Sequence, residues 1–321
     1  MKTIYDVAII GAGAAGLSLA GELDSSLKVL LIEKKRDPHK RIACAEWVPP
    51  MFPYKPVNAT SAMVTSYAGI TTTKDFKGKI IDRESWQKEM LESLKTTDVH
   101  LGEEVLRVED DKVITNKETY KTSLIVGADG PLSILRKSFG LPLLPVLPAI
   151  NARVKAKQAF ESTFIYFMPE IEKGYGWYFP KGDFANVGVG TTGNLRVTLD
   201  YFLNFLISCG MIDSGSRDIA VGFIPLFNLS PKASDNVVLI GDAAGLTDPL
   251  TGAGIMQAVD SAGELAKIIN SNQSVSEYAR YIEKIYSSFL SRRHERRMIL
   301  ENKWPNIKQA VEESWISFSR A

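Results

Sequence analysis

The stretch YDVAIIGAGAAGLSLAGELDSSLKVLLIEKK (5–35) constrains this chain more than any other. YDVAII is a short apolar run that ends in glycines, and it reads as a buried parallel strand. GAGAAGLSLAGELDSS predicts a helix opened by glycine, and KVLLIEKK (28–35) predicts a second strand. That is a βαβ opening within about 30 residues. Gly11, Gly13 and Gly16 form GxGxxG at the junction. The first glycine permits the turn, the second lets backbone approach a pyrophosphate, and the third lets helix and strand pack closely. Glu33 ends the second strand, where a carboxylate can accept hydrogen bonds from ribose hydroxyls. The combination predicts a dinucleotide site without separating FAD from NAD.

Two further stretches have the same style. In VLIGDAAGLTDPLTGAGI (238–255) a buried strand ends at Gly241-Asp242, and GAGIMQAVDSAGELAKIIN (252–270) predicts a helix. A carboxylate at Asp242 is placed to hold a polyol hydroxyl. Gly252 and Gly254 leave backbone N–H groups at the positive helix end, which suits the electron-rich edge of a reduced flavin. LIVGADGPLSILRKSFG (124–140) sets Gly127, Asp129 and Gly130 after another strand, with Ser133 and Arg136 downstream.

Between these pieces the pattern changes. Residues 46–60 hold four prolines and read as irregular. DRESWQKEMLESLKTT (82–97) predicts a helix with Asp82 as N-cap, and residues 100–130 predict three strands. GLPLLPVLPAI (140–150) reads as a crossover. Residues 151–227 alternate as strands, with one helix near DYFLNFLISCG, and the remainder from SEYARYIEK onward reads as helical. The expected architecture is α/β. It comprises a discontinuous Rossmann-type FAD-binding domain (1–145 and 232–270), a β-rich substrate domain (146–231) and a C-terminal helical segment (271–321).

Taken together, GxGxxG…E, VGADGxxSxxR and GDAAGxxxPxxGxGI resemble the motif set of the FAD-dependent glutathione-reductase-type superfamily, most of all its branch with a para-hydroxybenzoate-hydroxylase-like fold. The resemblance covers most of the chain and implies FAD. It implies cofactor contacts at Gly11, Gly13, Ala14, Ala15, Gly16, Glu33, Lys34, Ala128, Asp129, Gly130, Gly241 and Asp242. Pro249, Gly252, Ala253, Gly254 and Ile255 would lie beside the flavin ring. Arg83, in the Asp82-Arg83 pair, would lie near the cofactor, and Val105 matches the strand whose backbone meets the adenine.

That branch holds reductases, monooxygenases and halogenases, so fold does not choose the reaction. GYGWYFPKGDFANVGVG (174–190) does more. YxWxFP followed by VGVG is similar to the motif of the geranylgeranyl reductase family, whose members saturate isoprenoid double bonds with reduced FAD. On a strand, Tyr175, Trp177 and Phe179 share a face and can wall a slot for an apolar chain, unless they simply pack a core. Pro180 is expected to stop the ladder, and Gly188 on the returning strand to let a ligand approach. A halogenase-type WxWxIP pattern fits less well, with Tyr175 first and Phe179 before the proline.

Cys44 in RIACAEWVP (41–49) holds the place of the family's cysteine near the flavin, although Ala45 and Trp47 depart from its small-residue pattern. The resemblance implies hydride delivery to one alkene carbon and a proton to the other, with Tyr175, Cys44 or a water as donor of that proton. Electrons would come from NAD(P)H or a reduced ferredoxin-type protein, since no second GxGxxG domain occurs. A monooxygenase of an aromatic or lipid, or an electron carrier to quinone, is the alternative.

Net charge is +1, which excludes an argument for nucleic acid. The two cysteines, Cys44 and Cys209, form no metal-binding pattern and fit a cytoplasmic chain without a secretory leader. No apolar run is long enough to span a membrane. RRHERR (292–297) is a basic patch that suits either a solvated helix face or reversible contact with anionic lipid heads.

Overall fold

The computed structural model describes residues 4–318. The start of the expected leader-free N-terminus and the last three residues of the C-terminal segment lie outside the described residues. The chain divides into two units, each made of three pieces. The first comprises residues 1–40, 87–146 and 225–292, and the second 41–86, 147–224 and 293–321.

The first unit is built on the predicted strands. Ile4–Ile10 lies between Val29–Glu33 and Thr119–Gly127, parallel to both. Thr97–Leu101 extends the sheet beyond Val29–Glu33, and Val237–Leu239 beyond Thr119–Gly127, again in parallel. Ile9, Leu30, Leu31, Ile125, Val126 and Val238 have no exposed surface, as expected of parallel strands covered on both faces. The motif helices Ala14–Glu22 and Ile255–Asn270 pack on each other. The expected strands of residues 100–130 are Val105–Glu109, Lys112–Thr115 and Thr119–Gly127, joined as antiparallel neighbours.

The second unit is an eight-stranded, mostly antiparallel sheet. Its centre is the hairpin Tyr175–Lys181 and Phe184–Gly190, flanked by Val146–Lys155 and Ser162–Phe167. Alternation along Tyr175–Lys181 separates two faces. Gly176 and Tyr178 face the helix Leu195–Ser208, where Phe202, Leu199, Leu203 and Leu206 are wholly buried. Gly176 is small because the Phe202 ring occupies its place: an added Cβ would come within 2.7 Å of it. Tyr175, Trp177 and Phe179 point the other way.

Three expectations about layout change here. Residues 41–86 belong to the second unit, because Asn58–Tyr67 and Ile70–Ile80 pair with each other and then with Ser162–Phe167. Only Trp47–Val48 and the start of Asn58–Tyr67 interrupt the irregular run of 46–60. The C-terminal residues are helical as expected, Val275–Asn302 and Ile307–Ser314, but they are divided between the units rather than standing apart. Pro180 does not stop the ladder: Pro180 pairs with Ala185 and Lys181 with Phe184. Tyr178, opposite Phe164, is the last residue paired with Ser162–Phe167, so on that side no neighbouring strand requires the N–H that Pro180 lacks.

Candidate active site

The glycine loop of the first unit is shaped by contact. A Cβ on Gly11 would lie 2.4 Å from the Ala128 carbonyl oxygen, and one on Gly16 1.9 Å from the Gly11 carbonyl oxygen. These two glycines let the loop close against the neighbouring strand. Gly13 is different: a Cβ there meets nothing within 4 Å, so its backbone borders open space at the start of helix Ala14–Glu22. No side chain caps that helix start, which leaves its first N–H groups for an anion.

Glu33 sits where the motif requires. Its Oε2 accepts the Ala12 N–H at 2.9 Å and its Oε1 the Lys35 N–H at 2.8 Å. The carboxylate is thus fixed, with lone pairs left for hydroxyl donors. Asp129 is half-buried, and loss of water around its carboxyl raises it above the usual range. Its Oδ2 accepts the Ile134 N–H at 2.7 Å, whereas Oδ1 has no hydrogen-bond partner among the described residues. An unmet acceptor of this kind suits a polar ligand. Arg136, fully buried, donates to the carbonyls of Pro142, Ala243 and Asn228 at 2.8–3.2 Å. It therefore braces the Gly241–Ala244 turn from within.

At that turn Asp242 Oδ1 accepts the Thr247 hydroxyl at 2.5 Å. Asp248, not foreseen from the sequence, ties the following loop by accepting the Leu250 N–H at 2.9 Å and the Thr251 hydroxyl at 2.8 Å. The Asp-Pro pair at 248–249 is the signal that could have marked it. Helix Ile255–Asn270 starts at Gly254 without a side-chain cap. A Cβ at Gly254 would approach the Thr247 hydroxyl to 2.9 Å. Gly241, Ala253, Pro249, Gly252 and Ile255 all lie in this loop and turn, while Lys34, Ala128 and Gly130 flank Glu33 and Asp129. The open glycine backbone, uncapped helix starts, fixed Glu33 and unmet Asp129 oxygen fit FAD. Val105 begins strand Val105–Glu109, opposite Thr115.

The second unit carries the other candidates. Cross-strand register sets Trp177, Gly188 and Asn151 side by side, and Phe179, Asn186 and Arg153 in the next row. The Trp177 indole N–H donates to Asn151 Oδ1 at 3.0 Å. Gly188 does not leave room for a ligand. The Trp177 ring fills that room, since a Cβ at Gly188 would lie 2.3 Å from it. Pro180 falls on the Tyr178 side by alternation, away from the aromatic row.

Cys44 borders a cavity of about 10 Å³ with Glu46, Asn151, Arg153 and Asn186, room for about one water molecule. The Arg153 Nε is buried there with no hydrogen-bond partner among the described residues. Glu46, which the motifs did not point to, organises this corner. Its φ is +64°, unusual for a residue with a side chain. Every polar atom of Glu46 is engaged. The N–H donates to Cys44 Sγ (3.2 Å) and the C=O accepts the Ile81 N–H (3.0 Å). Oε1 accepts the Arg83 N–H (3.0 Å), and Oε2 accepts Lys181 Nζ (2.7 Å) and Asn186 Nδ2 (2.6 Å). Arg83 thus serves this corner through its backbone. Trp47, the departure from the small-residue pattern, turns its ring onto Phe76 at 4.6 Å and over Gly78, where a Cβ would lie 2.2 Å from it.

The basic patch is only partly a surface. Arg292 is exposed, but Arg297 is 1 % exposed, pairs with Glu301 at 2.6 Å and donates to the Lys173 carbonyl. Its charge is spent on structure. No helix among the described residues is long and apolar enough to cross a membrane.

Known proteins resemble the chain along nearly its whole length. The digeranylgeranylglycerophospholipid reductase of Methanococcus vannielii is 30% identical, the alignment covering 98% of this chain and 91% of the relative. Among solved structures, a geranylgeranyl bacteriochlorophyll reductase-like protein of Thermoplasma acidophilum superposes with a TM-score of 0.81 at 21% identity, over 98% of this chain and 97% of the other. A probable FAD-dependent monooxygenase of Pseudomonas aeruginosa has the same fold, with a TM-score of 0.72 at 16% identity over 97% and 99% of the two chains. No protein-family model matches the chain.

Proposed function

Because the chain belongs to the geranylgeranyl reductase family, we propose that it is an FAD-dependent oxidoreductase that saturates carbon–carbon double bonds of an isoprenoid chain on a lipid, quinone or pigment. The observation that carries this reading is the row of Tyr175, Trp177 and Phe179, which shares one sheet face with Asn151, Arg153 and Asn186 of the Cys44 cavity.

Reduced FAD, when bound, supplies hydride to one alkene carbon. Gly13 and the open helix start hold the pyrophosphate, Glu33 a ribose, and Asp242 the polyol chain. The aromatic row binds the apolar chain and excludes water, which matters because an isolated alkene accepts hydride poorly and must be closely positioned. The proton for the other carbon comes from the Cys44 thiol. Its sulfur is oriented by the Glu46 N–H, and a water in the adjoining cavity can return the proton. Tyr175 is less suited, being 5 % exposed and packed between Phe167 and Trp315. Electrons arrive from NAD(P)H or a ferredoxin-type protein. The exposed part of the basic patch, Arg292 above all, suits brief contact with an anionic lipid surface.

The decisive experiment is anaerobic turnover of the reduced enzyme with geranylgeranylated lipid, read by mass spectrometry. A product heavier by two hydrogens is expected. A hydroxylated product formed only in air would replace this reading with a monooxygenase.

A further inference from the structure

Three side chains that border the Cys44 cavity keep a polar group that their protein partners do not use. Asn151 Oδ1 accepts the Trp177 N–H at 3.0 Å. An indole N–H only donates, so the Asn151 amide nitrogen is left to donate elsewhere. Asn186 is turned the opposite way. Its Nδ2 donates to Glu46 Oε2 at 2.6 Å and to the Ala45 carbonyl at 3.3 Å, which leaves its Oδ1 to accept. Arg153 pairs with Glu84 Oε2 through Nη2 at 3.2 Å, while Glu84 Oε1 accepts the Arg41 N–H at 3.1 Å. Glu84 thus holds the guanidinium by one terminal nitrogen. The Arg153 Nε is buried and has no hydrogen-bond partner among the described residues, and an unmet buried donor is costly.

These leftovers are complementary. A cavity of about 10 Å³ has room for about one water, and a buried water needs two to four polar partners. Arg153 Nε and the Asn151 amide supply donors, and Asn186 Oδ1 supplies an acceptor. A water that accepts from Arg153 and Asn151 keeps both of its own hydrogens to give. One suits Asn186 Oδ1, and the other is available to Cys44 Sγ. That sulfur already accepts the Glu46 N–H at 3.2 Å.

We propose that Arg153 and Asn151 hold a water in this cavity, and that the water and the Glu46 N–H form a two-donor hole for the charge that develops on Cys44 Sγ as its proton leaves. The proposal rests on the reductase reading above. The S–H bond breaks, the alkene carbon that does not receive hydride takes the proton, and the electron pair stays on sulfur. Donors already aimed at that sulfur stabilise the charge without reorganising. The sulfur then regains a proton from the water, which takes one from solvent past Asp218, exposed at the cavity rim. Arg153 is a positioning residue, since it acts on the sulfur through the water.

Two measurements test this. A crystal structure of the FAD-loaded protein should show an ordered water within hydrogen-bond distance of both Arg153 Nε and Cys44 Sγ. No water there, or an Nε bonded to a protein group, overturns the hole and leaves the reductase reading standing. The second is anaerobic turnover of geranylgeraniol and digeranylgeranylglycerol by Arg153→Lys, which keeps a charge for Glu84 but has no Nε–H. Its kcat should fall by about tenfold or more, with KM and FAD affinity at wild-type values. An unchanged kcat, or a kcat that falls together with FAD affinity or with a raised KM, overturns the positioning role. Should Arg153→Lys fail to fold, Asn151→Asp, which keeps an acceptor for Trp177 and loses the amide donor, must show the same selective loss of kcat. Reduction of neither compound by the wild type overturns the reductase reading and this proposal with it.

Discussion

Lys181 Nζ lies 2.7 Å from Glu46 Oε2, and both side chains are almost wholly buried, at 8 % and 4 % exposure. The same ammonium reaches Asp82 Oδ1 at 3.2 Å. Burial alone would raise the Asp82 carboxyl, but the Ser85 hydroxyl and Lys181 outweigh it and hold it below the usual carboxylate value. Removing one member of a buried pair strands the other. Lys181→Met is therefore expected to cost about 3–5 kcal/mol in urea unfolding. Lys181→Met combined with Glu46→Gln should recover part of that loss. An additive double mutant would show that the pair is not coupled.

Gly13 and Gly16 separate cofactor binding from folding. Gly16→Ala drives a methyl into the Gly11 carbonyl and should lower the stability of the apoprotein as well as its FAD content. Gly13→Ala meets no protein atom, so its apoprotein should unfold at the wild-type urea midpoint. Its FAD affinity should nonetheless fall by about tenfold, or ~1.4 kcal/mol, as the methyl enters the space proposed for the pyrophosphate. Titration of apoprotein with FAD checks this, and wild-type affinity in Gly13→Ala would rule out the cradle.

Trp177 is both packed and bonded. Trp177→Ala should destabilise by about 3–5 kcal/mol through the cavity it leaves. Trp177→Phe loses mainly the hydrogen bond to Asn151, about 1 kcal/mol. Both should retain FAD by absorbance and lose isoprenoid reduction more than stability explains. Loss of the flavin from folded Trp177→Phe would mean that the aromatic row does not serve the substrate.

Glu103 predicts an acid limit to stability. Burial tends to raise its carboxyl, but hydrogen bonds from the Thr115 hydroxyl (2.6 Å), the Tyr120 hydroxyl (2.8 Å) and His100 (3.1 Å) outweigh that and lower it. A carboxylate lowered on folding stabilises the protein above its unfolded value, about 4.3. That contribution is lost as pH falls through the folded value. The stability gap between wild type and Glu103→Gln, measured by thermal unfolding, should be full at pH 7 and shrink below about pH 4. A gap that persists unchanged to pH 2 would contradict the sign.

How much was legible differs between the units. Gly11, Gly16, Glu33, Asp129 and Asp242 sit in local strand–turn–helix motifs, whose geometry is set within a few residues. The one-sided face of Tyr175, Trp177 and Phe179 also followed from alternation alone. The partners of that face did not. Gly188 reads as an opening in one dimension, yet across the hairpin it is the space that the Trp177 ring fills. Arg297 reads as surface charge within RRHERR, yet the Lys173 carbonyl and Glu301 claim it. Cys44 was marked by its motif, but Glu46 beside it was not, because its partners Lys181 and Asn186 are far away in sequence.

The sequence by itself determined the parallel core, the glycine cradle and the direction of the aromatic side chains, since each follows from backbone geometry repeated over a few neighbouring residues. Only the tertiary structure decided that Glu46 and Lys181 meet, that Trp177 binds Asn151, and that Trp315 covers Tyr175. Such contacts depend on which distant strands pair and in what register, and no local spacing encodes that.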